Sequence, residues 1–203
     1  MARDSSATRA RLLDAAFTEF AQYGIAGARV DRIAESARAN KRLIYVYYGN
    51  KEQLFDAVLT RAMELGAESV PFTAGDLPEY AGAVFDHLVA RPELMRLVLW
   101  RQLERPAPAA AESEAYRVKA AQVRAAQASG AVDPQMDPVD VLLLVNGLAQ
   151  AWFAATGGPA QDGAGTQDGA GAPDGVDAPW DAGRTARHRA AVVEAVRRLV
   201  TAP

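Results

Sequence analysis

The stretch that decides the fold is VDRIAESA (residues 30–37), followed by RAN (38–40) and KRLIYVYY (41–48). Its first part places apolar residues on one side of a short helix, and its last part is a second short helix. Asn40 is a good N-cap for that second helix, because its side-chain oxygen can accept a free first-turn N–H. Two short helices joined by a three-residue turn predict a helix-turn-helix, in which one helix braces another in the major groove.

The second helix predicts a surface for nucleic acid. Ile44 and Tyr48 are four residues apart and can pack inward, which leaves five side chains on or near the exposed sides. These are Lys41, Arg42, Leu43, Tyr45 and Tyr47. Cations at a helix N-terminus can reach guanine edges or phosphates, and tyrosine hydroxyls can donate to phosphate oxygens. The alternative is a solvated basic helix with aromatic packing.

Charge is distributed unevenly around this motif. Residues 1–51 hold nine basic and five acidic side chains, a net charge of +4, which leaves −7 for the rest of a chain whose total is −3. A basic end on an acidic body indicates that one end meets a polyanion.

On both sides of this motif, the sequence pattern predicts helices and no strands. Apolar residues recur at three- and four-residue spacing, and seven prolines fall near predicted helix ends, where a missing N–H costs least. The predicted helices cover roughly residues 7–23, 30–37, 41–48, 51–68, 77–90, 92–105, 110–129, 137–156 and 184–201. Gly24 ends the first helix, and Asn50 caps the fourth. We therefore expect an all-α fold.

Composition narrows the class of protein. The chain has no cysteine, which excludes disulfides and thiolate metal sites. It shows no signal-peptide pattern and no apolar run near the ~18 residues of a membrane span, so we expect a cytoplasmic protein without membrane attachment. Nucleophile elbows, phosphate-binding glycine loops and metal-ligand spacings are missing, and His87 and His188 lie far apart. We predict no enzyme activity, no cofactor and no metal site.

Residues 157–183 stand apart from the helices. They repeat QDGAG at 161–165 and 167–171 and are rich in Gly, Asp, Ala and Pro. Such a segment cannot bury enough apolar surface to offset its ordering entropy, so we expect a flexible loop. A calcium-binding repeat is the alternative, but the nine-residue period and the large apolar residues of that motif are missing.

The N-terminal quarter resembles the DNA-binding domain of the TetR family. The resemblance is carried by RLLDAAFTEFAQYG (11–24), VDRIA (30–34), KRLIYVYY (41–48) and NKEQLF (50–55), in the expected order and spacing. It implies a three-helix helix-turn-helix domain over residues 1–52 and a larger helical domain for ligand binding and dimerisation over 53–203.

The resemblance implies a role for each matching position. Arg42 and Leu43 stand where base contacts are usual, and Lys41, Tyr45 and Tyr47 where backbone or groove contacts are common. Lys51 matches a lysine that meets phosphate at the start of the fourth helix. Tyr48 stands where a buried phenylalanine is usual and is not assigned to the DNA surface.

Two positions depart from the family pattern. Arg38 replaces the usual glycine of the turn, and a non-glycine in the left-handed conformation costs about 1 kcal/mol. Arg29 replaces the Ser or Thr that usually caps the second helix, so that cap is lost, although an arginine could reach a phosphate instead. We therefore add Arg29 to the predicted DNA contacts.

Two C-terminal helices offer a dimer interface, which a regulator of this class needs in order to place two recognition helices on one DNA face. Helix 137–156 is apolar on two sides, and helix 184–201 has one apolar stripe. The resemblance implies that both pair with their copies in a four-helix bundle. The predicted interface residues are Val141, Leu144, Val145, Gly147, Leu148, Val192, Val196 and Leu199. An ordinary monomer core is the alternative.

A cavity for a largely apolar or aromatic molecule is predicted around helix 92–105, which is apolar almost all round. The candidate lining residues are Phe85, Met95, Leu99, Trp100, Leu103, Tyr116, Asn146 and Trp152. For each of these side chains, core packing is the competing interpretation.

The predicted function is that of a dimeric transcriptional regulator, a repressor released from a palindromic operator on double-stranded DNA by a small, largely apolar effector. An activator with the same architecture is equally compatible with the sequence. The alternative from another class is a helical carrier or sensor of small molecules whose N-terminal helices bind a protein partner.

Overall fold

The computed structural model describes residues 2–106, 110–156 and 180–201. These residues form nine α-helices and a 3-10 turn at Ala74–Asp76, with no strand among them. The helices are α1 (Ala2–Gly27), α2 (Val30–Ser36), α3 (Lys41–Tyr48), α4 (Lys51–Ser69), α5 (Leu77–Ala90), α6 (Pro92–Glu104), α7 (Ala110–Ala128), α8 (Pro138–Thr156) and α9 (Ala182–Val200). The predicted all-α fold is confirmed.

Helix boundaries agree with the predicted spans to within a few residues, except at α1. That helix begins at Ala2 and continues to Gly27 across a kink at Gly24, whose φ of 67° and ψ of −175° are not helical. The predicted flexible loop 157–183 lies outside the described residues as far as residue 179. Its last two residues belong to α9, whose N-cap Asp181 accepts the backbone N–H of Arg184 at 2.7 Å.

The chain divides into two compact units. The first unit comprises residues 1–66 and 96–111, and the second comprises 67–95 and 112–203. The first therefore contains α1 to α3, most of α4 and the second half of α6. The boundary predicted between residues 52 and 53 stays a prediction, because α4 runs through it without a break.

The first unit is built around an apolar core to which every one of its helices contributes. Its fully buried side chains are Leu12, Ala16, Phe20, Ile33, Ile44, Leu54, Phe55 and Leu97. Phe20 and Phe55 meet edge to face with ring centroids 5.1 Å apart. Each large apolar side chain buried in this way stabilises the fold by about 1.5–3 kcal/mol, so the core holds α2 and α3 firmly against α1.

Caps define the ends of the helix-turn-helix. The Asn40 side chain accepts the backbone N–H of Arg42 at 2.8 Å, and Asn50 accepts that of Gln53 at 2.7 Å. Both predicted caps are thus confirmed. Arg38 has φ 50°, so the turn keeps its left-handed residue although a side chain replaces the glycine of the family pattern.

The second unit packs α5, α8 and α9 together. Phe85 of α5 and Phe153 of α8 are fully buried, with ring centroids 5.4 Å apart. Arg189 of α9 makes ion pairs with Glu79 and Asp86 of α5, each at 2.7 Å. This unit therefore combines an apolar interior with a charged seam between α5 and α9.

Helix α8 is long and apolar enough, by length and composition alone, to cross a membrane. The expectation that no segment approaches such a length is thus too strong. Val141, Leu142, Val145, Ala149 and Phe153 of this helix are buried in the second unit. The core helix of a water-soluble domain passes the same test.

Candidate nucleic-acid interface

Helix α3 has an inner and an outer face. Ile44 is fully buried, and Leu43, Tyr47 and Tyr48 are half-buried and pack against the same core. Four side chains are exposed, namely those of Lys41, Arg42, Tyr45 and Val46. Three of the five residues predicted on this helix thus lie on the outer face, while Leu43 and Tyr47 lie at its border with the core.

Val46 was missed by sequence reasoning, although 62% of its surface is exposed. Its signal was present in the helical period, because it follows Arg42 by four residues and so shares its face. An exposed apolar side chain beside a cation is suited to contact a thymine methyl group in the major groove.

Lys41 and Arg42, the two cationic side chains at the start of α3, differ in their contacts with the rest of the protein. Lys41 donates to the Asp31 carboxylate of α2 at 2.8 Å, and this hydrogen bond raises the pKa of Lys41. The Arg42 side chain is exposed and makes no hydrogen bond or ion pair with any described residue. Arg42 is therefore available to a ligand without first breaking a contact, whereas the ammonium group of Lys41 is already paired with Asp31.

The tyrosines at the end of α3 fasten it to α1. The Tyr48 hydroxyl donates to the carbonyl oxygen of Arg9 at 3.2 Å, and burial raises the pKa of Tyr48. The Arg9 guanidinium lies over the Tyr47 ring, 4.7 Å from its centroid. Tyr48 thus points inward, as predicted.

The predicted contacts Arg29, Tyr45 and Lys51 line one surface groove of about 420 Å³, together with Ala28, Val30 and Asp31. The ammonium group of Lys51 donates to the carbonyl oxygen of Ala28 at 3.3 Å and lies 3.5 Å from that of Ala26. In this structure Lys51 ties the start of α4 to the end of α1. Its contact with phosphate stays a prediction.

The expected loss of the α2 cap is confirmed, since the Arg29 side chain makes no capping hydrogen bond. The backbone N–H of Arg29 instead donates to Glu19 of α1 at 2.8 Å. Glu19 is buried, and sequence reasoning missed it. The available signal was an acidic residue next to the core positions Ala16 and Phe20, combined with the missing cap.

The residues predicted to line an effector cavity are divided between the two units. Leu99, Trp100 and Leu103 belong to the first unit, and the other five belong to the second. Trp100 packs against Gly24, where an added Cβ would meet its ring at 2.8 Å, and Leu103 is 75% exposed. The structure therefore does not gather all eight within one unit.

Of the five predicted lining residues in the second unit, Phe85 and Trp152 make aromatic contacts. Phe85 and Met95 are buried, Tyr116 is half-buried, and Asn146 donates to the Leu142 carbonyl oxygen at 2.9 Å. Trp152 stacks on His188 with ring centroids 3.6 Å apart, a pairing that sequence spacing did not reveal.

The predicted dimer residues also divide by burial. Four are buried within the protomer, namely Val141, Val145, Val192 and Val196. Leu148 and Leu199 are half-buried, whereas Leu144 and Gly147 are exposed. Two exposed apolar residues of α8 that sequence reasoning left out, Val139 and Leu143, complete this group. The exposed apolar side chains of α8 therefore lie on the side of the helix that the protomer leaves uncovered.

Sequence comparison matches two family models to this chain. The model described as bacterial regulatory proteins of the tetR family covers residues 12–58. The model described as a tetracyclin repressor-like C-terminal domain covers residues 76–198, more than half of the chain.

A curated relative covers most of the length. The HTH-type transcriptional repressor SCO4008 of Streptomyces coelicolor is 45% identical over 152 residues, which are 73% of this chain and 79% of that protein. The HTH-type transcriptional repressor NicS of Pseudomonas putida is 31% identical over 109 residues, 50% of this chain and 51% of that one.

Solved structures agree with this relationship. The putative transcriptional regulator SCO4942 of Streptomyces coelicolor superposes with a TM-score of 0.73 at 37% identity, covering 97% of this chain and 99% of that chain. A TetR family regulator from Marinobacter aquaeolei, at 18% identity, shares the fold with a TM-score of 0.68 and covers 100% of both chains. With an exposed α3 face on a capped helix-turn-helix and both family domains present, the chain belongs to the TetR family of DNA-binding transcriptional regulators.

Proposed function

We propose that this protein is a cytoplasmic repressor that binds an inverted-repeat operator as a homodimer and is released by a small, largely apolar effector. The observation that carries the proposal is the outer face of α3. There Arg42 stands free beside Lys41 and Tyr45 on a helix held by an N-cap and a buried core.

Base recognition is assigned to Arg42. An arginine at the N-terminal end of a recognition helix can form two hydrogen bonds with the O6 and N7 atoms of guanine. Lys41, Tyr45 and Tyr47 surround it and are suited to phosphate oxygens, which orient the helix without reading sequence. Leu43 and Val46 offer apolar contacts to base edges.

Repression rather than activation is supported by the relatives. Both curated relatives described above are named repressors, and one of them shares 45% identity over most of this chain. These relatives offer no support for the alternative of a carrier that binds a protein partner.

Dimerisation is supported by the outer side of α8. Leu143 and Leu144 are 52% and 44% exposed, and Gly147 beside them has open space around it. A cluster of exposed apolar side chains on one helix is typical of a surface that another protein covers. A C2 dimer formed through this helix would supply the two recognition helices that an inverted repeat requires.

An effector is expected in the helical unit formed by residues 67–95 and 112–203. Its interior is rich in aromatic side chains, which favours a largely apolar molecule. Release would follow if the effector binds better to a conformation in which the two α3 helices no longer match adjacent major grooves.

The test is selection of bound duplexes from a random DNA library by the purified protein, alongside the double variant Arg42→Ala/Tyr45→Ala. We expect the wild type to recover an inverted repeat. We expect the variant to recover none, because it lacks both the guanine contact and a neighbouring phosphate contact.

Salt provides the control. Neutralisation of phosphates makes DNA affinity fall steeply as salt concentration rises, whereas an apolar protein–protein surface is nearly indifferent to it. If the wild type enriches no sequence even at low salt, the proposal that α3 binds an operator is wrong. Retention of the inverted repeat by the double variant would also contradict the assignment of α3.

A further inference from the structure

Glu19 is a buried carboxylate that lies outside the exposed face of α3. Only 8% of its surface is exposed, and it lies on α1 beside the core. A buried carboxylate is costly unless hydrogen bonds and an opposite charge compensate it. Both are present, because the same Glu19 oxygen accepts the backbone N–H of Arg29 and the Nε of Arg32, each at 2.8 Å.

Arg32 of α2 binds along one stripe of α1. Besides Glu19, its guanidinium lies 4.3 Å from the centroid of the Tyr23 ring and donates to the carbonyl oxygen of Gly27 at 3.1 Å. Glu19 and Tyr23 are four residues apart and share one face of α1, and Gly27 follows the kink at Gly24. A single side chain of α2 is thereby held at three points on its neighbour.

This arrangement replaces a capping box. In that motif a Glu at the third helical position reaches back to the N–H of the N-cap residue. In α2 the N-cap is Arg29 and the third position is Arg32, so the helix itself provides no acceptor for that N–H. Glu19 provides the acceptor from α1, and Arg32 holds the Glu19 carboxylate in place.

We propose that Glu19 is a positioning residue for operator recognition: it completes the cap of α2 from outside that helix and sets the orientation of α2, and with it α3, against α1. This inference rests on the proposed function. The orientation of α2 affects that of α3 because Ile33 of α2 and Ile44 of α3 are buried in the same core on either side of a short turn. The side chain of Arg11 on α1 also donates to the carbonyl oxygen of Ala37 in that turn, at 3.3 Å.

The test compares Glu19→Gln with the wild type in full-length protein, using the selected operator and a random duplex. We expect Glu19→Gln to weaken operator binding by about tenfold, because the amide keeps an acceptor oxygen but loses the charge that strengthens both hydrogen bonds to it. Affinity for the random duplex is expected to change little. Amide hydrogen exchange in the first turn of α2 should become faster.

The direction of the change in operator affinity distinguishes a positioning role of Glu19 from a purely electrostatic one. Glu19→Gln removes a negative charge from the DNA-binding unit, which alone would strengthen binding to a polyanion. Glu35→Gln is the matched control, because it removes one exposed carboxylate from α2. We expect this control to bind at least as tightly as the wild type, and the salt dependence of both variants to keep the wild-type slope.

A charge swap tests the mechanism. Arg32→Glu alone should impair operator binding, because two carboxylates then face each other. In Glu19→Arg/Arg32→Glu the new Glu can cap α2 within the helix and pair with the Arg on α1, so we expect much of the affinity to return. A swap that binds no better than Arg32→Glu alone would overturn the proposal.

Two further outcomes would also overturn it. One is Glu19→Gln with wild-type operator affinity, whatever the rate of amide exchange in α2. The other is loss of helical circular dichroism in Glu19→Gln, which would place Glu19 in the folding core and not in positioning. If the wild type itself binds no operator, the proposed function fails, while the exchange rates in α2 still test the role of Glu19.

Discussion

Arg38 shows how a single residue can carry a strain that the rest of the motif tolerates. It is exposed in the turn between α2 and α3, and its φ of 50° is the left-handed conformation that glycine adopts most easily. Hydrogen bonds keep it there, because its backbone N–H donates to Glu35 and the next N–H donates to Ala34. The turn is therefore imposed by its neighbours and not by the preference of Arg38.

Replacing Arg38 by Gly is expected to raise the free energy of unfolding by about 1 kcal/mol, because the Cβ responsible for the strain is removed. Denaturant unfolding followed by circular dichroism measures the change. Arg38→Ala is the matched control, since it removes the same charge but keeps the Cβ. A gain of the same size in Arg38→Ala would show that backbone strain is not the cause.

At the scale of elements, α6 is the helix whose role sequence spacing did not reveal. Its apolar residues predicted that it lines an effector cavity, yet its second half belongs to the first unit, which contains α1 to α3. Leu97 is buried in the core of that unit, and Arg96 donates to the carbonyl oxygens of Ala21 and Gln22 at 2.9 and 3.2 Å. Glu104 accepts the backbone N–H of Ala26 at 2.9 Å. The end of α1 is thus held by a helix far away in sequence.

Leu97→Ala is expected to lower the free energy of unfolding by about 2–5 kcal/mol, because it leaves a cavity in the core of the first unit. Leu103→Ala, on the same helix but 75% exposed, should change it by less than about 0.5 kcal/mol. Denaturant unfolding of both variants makes the comparison. Equal losses would contradict the placement of Leu97 in that core.

At the scale of the whole molecule, the proposed dimer requires a side of α8 that the protomer does not itself cover. Val141 and Val145 are buried within the protomer, in which α8 packs against α5 and α9, so packing within one chain accounts for them. Leu143 is exposed on the opposite side of the helix from Val141, and Leu144, three residues after Val141, is exposed at the edge of the buried side. The predicted dimer therefore depends on the second pair.

Leu144→Glu is expected to raise the dimer dissociation constant by about tenfold to a hundredfold, because a carboxylate without a partner would be buried at the interface. Sedimentation equilibrium measures the constant, and circular dichroism checks that the helices persist. Val118→Glu is the control, since Val118 on α7 is 45% exposed in the same unit. A dimer unaffected by Leu144→Glu would exclude this side of α8.

Local rules were sufficient wherever a short segment decides its own conformation. The spacing of apolar residues predicted each of the nine α-helices in the described part of the chain, because burial on one side of a helix imposes its own period. Asn40 and Asn50 were recognised as caps because a cap acts within three residues. The outward cations of α3 followed from the same period, and the resemblance of residues 8–56 to the TetR family supplied their role.

Tertiary structure alone decided the contacts between segments distant in sequence. Nothing in the spacing of α6 distinguishes the buried Leu97 from the exposed Leu103, because which side of an apolar helix is covered depends on its neighbours. The pairing of Glu19 with Arg29 and Arg32 brings together residues of two helices, so its compensated charge appears only after folding. The sequence by itself determined the helices and the outer face of α3. Packing between distant segments determined the contacts that hold this face in place.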